Sequence, residues 1–269
     1  MKNPLLLVAV ISVFIWTSTS VIADTQKGVD AMYDGDYETA ITELKPLAEG
    51  GDAEAQYHLG DMYRNGYGVP EDEKQAIKWY KSAAKLGNVN AQINIGLLYL
   101  IGQGIPQDTD KAIELFTQAA EQGNAHAQGY LAVVYYKGEI VPQNYTMSAK
   151  WFALAAEQGR PIAQSFLGTM YLRGEGVPKD QKTAVRWFTL AAEQGIAKAQ
   201  SNLGASYFHG IGVPKDYVKA YMWMEIAASL GNKKANYNRI IFTKEMTEEQ
   251  IVKAKTLASN CIKKEYKNC

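Results

Sequence analysis

Residues Asp52 to Gly87 read DAEAQYHLGDMYRNGYGVPEDEKQAIKWYKSAAKLG, and the fixed letters of this stretch return along the chain every 36 residues. Gly51, Gly87, Gly123, Gly159, Gly195 and Gly231 keep that step without a slip. Gln56, Gln92, Gln128, Gln164 and Gln200 follow it, as do Pro70, Pro106, Pro142, Pro178 and Pro214. A repeat of this length, free of insertions, marks a solenoid whose copies bury their apolar faces only by stacking on their neighbours. Such a framework shifts the expected function from catalysis toward binding.

Inside the quoted copy, Ala55, Leu59, Met62 and Tyr63 recur at three and four, which predicts a helix over Ala53 to Tyr63. The run Asn65-Gly66-Tyr67-Gly68-Val69-Pro70 breaks it. Asp72 is placed to cap a second helix, whose stripe is Ala76, Trp79, Tyr80, Ala83 and Ala84, and Gly87 ends that helix in the left-handed manner. Gly60, Gly96, Ala132, Gly168 and Gly204 mark a close helix crossing with room for nothing beyond a methyl. Trp79, Trp151, Trp187 and Trp223, with Leu115 in the second copy, are expected to fill the space between hairpins. In the third copy Ile140 replaces the second loop glycine, so its loop should turn differently.

The flanks read as caps. Residues 24–51 form a shortened opening hairpin with a turn at Gly35-Asp36-Tyr37; five copies follow (52–87, 88–123, 124–159, 160–195 and 196–231); residues 232–269 hold a further first helix and a last helix. Thr247 and Gln250 make a capping box that starts the last helix at Glu248 and carries it to about Lys263. Met1 to Ala23 reads as a cleaved export signal: Lys2, an apolar run from Leu5 to Trp16, and small or tolerated residues before Asp24. That run is short for the ~20 apolar residues of a membrane span, so no span is expected after cleavage. Cys261 and Cys269 are the two cysteines of the chain. In an oxidising compartment they are candidates for a disulfide, which requires the chain to leave the helix and turn back around Lys264 to Asn268. The alternative is a pair of free thiols on a frayed tail.

The 28 basic and 28 acidic side chains balance, which offers nucleic acid or anionic lipid no general attraction. His58, His126 and His209 fall at three different repeat positions, so they predict neither a metal site nor a shared base. Glu121, Glu157 and Glu193 recur as part of the framework and stand a helix pair apart, which argues against an acid/base pair. Nucleophile-elbow, phosphate-loop and zinc-helix motifs are missing from the sequence. Neither a cofactor nor an enzymatic activity is expected.

The pattern A-x-A-Q-x-x-L-G-x-x-Y-x-x-G-x-G-V-P-x-D, followed by A-x-x-W-x-x-x-A-A-E-Q-G, resembles the Sel1-like repeat, a longer-looped relative of the tetratricopeptide repeat. The resemblance implies an all-α fold, a right-handed α-solenoid of helix-turn-helix units, and an exported protein, periplasmic or secreted, of a Gram-negative bacterium. It implies a scaffold or adaptor for a protein or peptide partner in envelope processes, host interaction or virulence. Matching the tetratricopeptide inner face selects non-consensus positions of the first helices as a concave groove: Tyr57, Asp61, Arg64, Ile93, Leu97, Val133, Tyr136, Ser165, Thr169 and Ser201. Two alternatives stand beside it, the first implied by the same resemblance. One is weak binding or hydrolysis of β-lactams, as in cysteine-rich members, which carry a cysteine pair in each repeat where this chain has none. The other, drawn from the residues, is recognition of peptidoglycan or another glycan, with Tyr57, Tyr67 and Tyr136 stacking on sugar rings.

Overall fold

The computed structural model describes residues 25–269, and the export signal read over Met1 to Ala23 lies outside them. Among the described residues every regular element is helical. Helix α1 (residues 25–34) and α2 (Tyr37–Glu49) form the opening hairpin. The repeats follow as first and second helices: α3 (Ala53–Asn65) and α4 (Glu73–Lys85), α5 (Val89–Ile101) and α6 (Thr109–Glu121), α7 (Ala125–Lys137) and α8 (Tyr145–Glu157), α9 (Pro161–Arg173) and α10 (Gln181–Ala192), α11 (Ala197–His209) and α12 (Tyr217–Ser229). Helix α13 (Lys233–Phe242), a 3-10 turn (Thr243–Glu245) and α14 (Glu248–Lys263) close the chain. These helices fall into two compact units, the first ending at Gln122 and the second running from Gly123 to Cys269. Within each unit, consecutive helices pack on one another, and in the second α14 packs on α12.

Local chemistry sets the boundaries. Asp72 accepts from the Gln75 amide at 3.0 Å, and Asp108, Asn144, Asp180 and Asp216 cap the other second helices in the same way. First helices end at a glycine in the left-handed region, such as Gly66 with φ 70°. Second helices end in a paired closure in which the Gly87 amide donates to the Ala84 carbonyl and the Asn88 amide to that of Ala83. In the third copy the loop does turn differently at Ile140, which has no positive φ where Gly68, Gly104, Gly176 and Gly212 have φ near 70°. The Asn144 amide still reaches the Tyr135 carbonyl at 2.9 Å, matching Asp72 to Tyr63, so the hairpin closes with the same span.

The helix crossing is tighter than the sequence suggests. A methyl at Gly60 would stand 2.7 Å from the Tyr80 ring, and one at Gly168 2.7 Å from Phe188, so these copies admit no side chain at all. The third copy admits Ala132, whose carbonyl accepts a 2.8 Å hydrogen bond from the buried Ser148 hydroxyl. The tryptophans divide: Trp151 and Trp223 are buried, whereas Trp79 and Trp187 are half-buried.

The fixed glutamines join hairpins. Gln56, Gln92, Gln164 and Gln200 each donate to the carbonyl of an alanine eight residues earlier, in the preceding second helix. Where the repeat ends in Glu-Gln-Gly, that last glutamine donates to the fixed one: Gln122 to Gln92 at 2.9 Å, Gln158 to Gln128 at 2.8 Å, and Gln194 to Gln164 at 2.8 Å. At the C-terminus Cys261 and Cys269 are bonded, with Cα atoms 5.5 Å apart. The reversal runs through Glu265, Tyr266 and Asn268, all at positive φ.

Candidate functional site

In the first unit the face selected from sequence is carried by α3 and α5. Tyr57 and Asp61 are half-buried and Arg64 is exposed, one helical turn apart from each other. The Tyr80 hydroxyl, reaching across from α4, donates to Asp61 Oδ1 at 2.5 Å. The Tyr57 ring lies 6.1 Å from that of Tyr80 and 4.9 Å from that of His58. His58 Nε2 is 3.2 Å from Glu54 Oε1, while Asn88 donates to Glu54 Oε2 at 2.7 Å. On α5, Ile93 is half-buried and Leu97 is 41% exposed; Ile101 beyond them is 61% exposed. The face therefore passes from a polar cluster on α3 to an apolar strip on α5.

In the second unit Val133 and Tyr136 are half-buried on α7. The Tyr136 hydroxyl donates to Glu175 Oε2 at 3.1 Å, and its ring meets that of Phe166 edge-on at 5.5 Å. Phe166 stacks on Phe152 at 4.9 Å and carries the Lys198 ammonium 4.8 Å from its centroid. Ser165, Thr169 and Ser201, chosen from the sequence for the same surface, are buried instead. Thr169 donates to the Ser165 carbonyl at 3.0 Å, and the Ser201 hydroxyl lies 3.8 Å from Met224 Sδ, so a guest would meet their neighbours rather than these groups. At Gly129, one of the first-helix positions, an added Cβ would find open space, which leaves a notch beside Val133.

Three further residues belong to this surface. Phe166 occupies the repeat position of His58, which is filled elsewhere by Asn94, Tyr130 and Asn202. That variability was the available signal. Tyr237 and Ile241 on α13 stand five repeat steps after Tyr57 and Asp61, and they are 66% and 37% exposed.

The tyrosines are unsuited to act as bases. Burial, followed by the neighbouring Asp61 carboxylate, pushes the Tyr57 and Tyr80 hydroxyls well above the usual tyrosine range. Tyr136 is raised by burial and then by its bond to Glu175. What the arrangement offers is hydrogen-bond donors and acceptors, exposed apolar side chains and fixed charges, the ingredients of a recognition surface. His126 is engaged with Arg160 at 3.1 Å, and His209 lies against Phe208.

Helical hairpins repeated at a fixed step, with a variable first-helix face, define an α-solenoid of the tetratricopeptide class. The Sel1 repeat matches at residues 53–88, 89–124, 125–159, 161–196 and 197–232, and the chain belongs to that family. Two solved structures share the fold and about a third of the sequence. The protective antigen c5321 of uropathogenic Escherichia coli, described as displaying an SLR fold, is 32% identical with a TM-score of 0.73; the match covers 93% of this chain and 56% of that one. This chain thus spans little more than half of that protein. A Sel1 repeat protein from Oxalobacter formigenes is 33% identical with a TM-score of 0.72, covering 78% of this chain and 87% of that one. The sequence matches none of the curated proteins against which it was compared.

Proposed function

We propose that the protein is an exported scaffold that holds a protein or peptide partner against the variable faces of its first helices. One observation carries this reading. Within the first helices the recurrent alanines, glutamines and crossing residues, such as Ala55, Gln56, Leu59 and Gly60, are buried in the framework, whereas positions that differ between copies present Arg64, Leu97, Tyr136 and Lys198 to the surface. Sel1 repeats commonly mediate protein–protein interaction. A surface built on rigid hairpins binds with little ordering cost, and its alternation of polar cluster and apolar strip suits an extended or helical segment.

Export is supported by the character of Met1 to Ala23 and by the tail disulfide, a bond that persists in oxidising compartments. No helix among the described residues is long and apolar enough to cross a membrane. Likeness to a protective antigen supports an envelope or host-facing setting.

A photoreactive residue placed at Leu97 in living cells should yield a discrete cross-linked adduct that disappears when Asp61 and Arg64 are replaced by alanine. The same residue at Lys150, exposed on a second helix, should capture nothing comparable. Equal capture from both places, or capture at Leu97 indifferent to the α3 substitutions, would remove the basis for this reading.

A further inference from the structure

The second copy lacks the tryptophan of its four siblings, and the structure shows a cleft at that place. Leu115 stands where Trp79, Trp151, Trp187 and Trp223 stand in the other copies. Around it, α4, α5 and α6 border a half-open cleft of about 640 Å³, with Ala84, Ile95, Tyr99 and Leu115 among the lining residues. That volume is in the range of small-molecule sites. Three repeat steps later the same positions are Ala192, Leu203, Tyr207 and Trp223, which pack together in one core with the indole 3% exposed. The protein therefore displays what fits this shape: a flat bicyclic ring lying between an alanine, a branched aliphatic side chain and a tyrosine.

The second copy differs in charge as well. Lys81 and Lys85 line the cleft where the fifth copy has Thr189 and Glu193. Lys111 is common to both, its counterpart being Lys219. The Lys81 and Lys111 ammonium groups stand 5.3 and 5.6 Å from the Tyr99 centroid, at the edge of the vacated space. Neither these two nor Lys85 makes an ion pair with a carboxylate among the described residues. Glu114 is the acid of the lining, and it accepts from Gln118 at 3.3 Å. Three cations against one anion, beside a slot shaped for an indole, complement a ring that carries negative charge.

We infer that the cleft between α4, α5 and α6 binds a small planar aromatic carboxylate, its ring replacing the absent indole and its carboxylate meeting the lysines. The site uses the Gln92-Ile95-Tyr99 face of α5, whereas the partner surface uses Ile93 and Leu97, so the two readings stand or fall separately.

Calorimetric titration of the purified mature protein with indole-3-acetate tests the assignment. Saturable one-to-one binding with a dissociation constant of about 1 mM or below is expected for a ligand of this size. Leu115→Trp, which fills the slot from within, should abolish binding while keeping the helical dichroism and a melting midpoint no lower than the parent's. Replacing both Lys81 and Lys85, exposed side chains outside the framework, by alanine should weaken binding roughly tenfold, as should using the neutral indole-3-acetamide. The lysine variant decides the matter if the tryptophan variant fails to fold. No saturation at roughly ten times that concentration, undiminished binding by Leu115→Trp, or equal affinity for acid and amide would overturn the inference. So would binding of a peptide ending in tryptophan where the free acid does not bind.

Discussion

Two glutamines expose the logic of the repeat by what they lack. Gln92 and Gln164 each give a hydrogen bond to a carbonyl of the preceding helix, and the fixed glutamine of each middle copy receives one from the glutamine thirty residues later. Leu86 and Leu230 hold that later position for Gln56 and Gln200, and the Oε1 atoms of these two are buried with no hydrogen-bond partner among the described residues. A buried acceptor left unpaired costs about 1–3 kcal/mol. Leu86 and Leu230 are themselves 54% and 44% exposed, so replacing them forfeits little apolar burial. Leu86→Gln and Leu230→Gln should each raise stability by about 1 kcal/mol in urea unfolding, and Gln194→Leu should lower it by a similar amount. Unchanged midpoints in all three would dismiss the relay. The tyrosines give a second test at this scale. Tyr57 and Tyr80 are held protonated above their ordinary range, so the unfolded chain loses these protons first as pH rises past about 10. The stability they contribute is fully present below that value and drains away above it. Tyrosinate absorbance should therefore show a set of tyrosines that ionise late, together with loss of helical dichroism, with Tyr57 and Tyr80 in it beside Tyr130, Tyr136 and Tyr221, and Tyr57→Phe with Tyr80→Phe should shrink that late fraction by two.

Elements were legible where a backbone requirement dictates a residue type. Asp72 must accept an amide proton, Gly66 and Gly87 must adopt positive φ, and Thr247 with Gln250 must exchange two bonds; each fixes a boundary within a residue or two. The tail could be read for the same reason, since two cysteines eight residues apart can meet only if the helix stops, and it stops at Lys263. The tightness of the crossing at Gly60 and Gly168 was not legible, because periodicity reports that a small residue recurs and says nothing of the ring standing 2.7 Å away. Nor did periodicity separate surface from interior at variable positions. Ser165, Thr169 and Ser201 vary between copies as Leu97 does, yet they are covered, because small side chains leave their helices free to sit close against Met224 and its equivalents. A variable position is a candidate contact only where its side chain is long enough to leave the packed layer.

At the scale of the whole molecule, the stacking that builds the core continues past the fifth repeat onto α14. In the second unit Met222 and Ile226 of α12 are buried, and Ala258 and Cys261 of α14 belong to the same core, with Tyr266 packed against it. The exposed side of α14 carries Glu248, Glu249, Lys253, Lys255 and Lys263. Removing residues 247–269 would therefore return Met222 and Ile226 to water, large apolar side chains whose burial is worth about 1.5–3 kcal/mol each. The exposed patch has the shape of the surface on which a further hairpin would stack, so the truncated protein should associate with itself rather than merely loosen. Sedimentation and thermal melting of the shortened chain should show a lower midpoint together with concentration-dependent assembly. Restoring water-compatible side chains, as in Met222→Lys with Ile226→Gln on the truncated background, should suppress the assembly without recovering the midpoint. A truncated chain that stays monomeric with its original midpoint would mean that α14 is an appendage and that α12 closes the unit by itself.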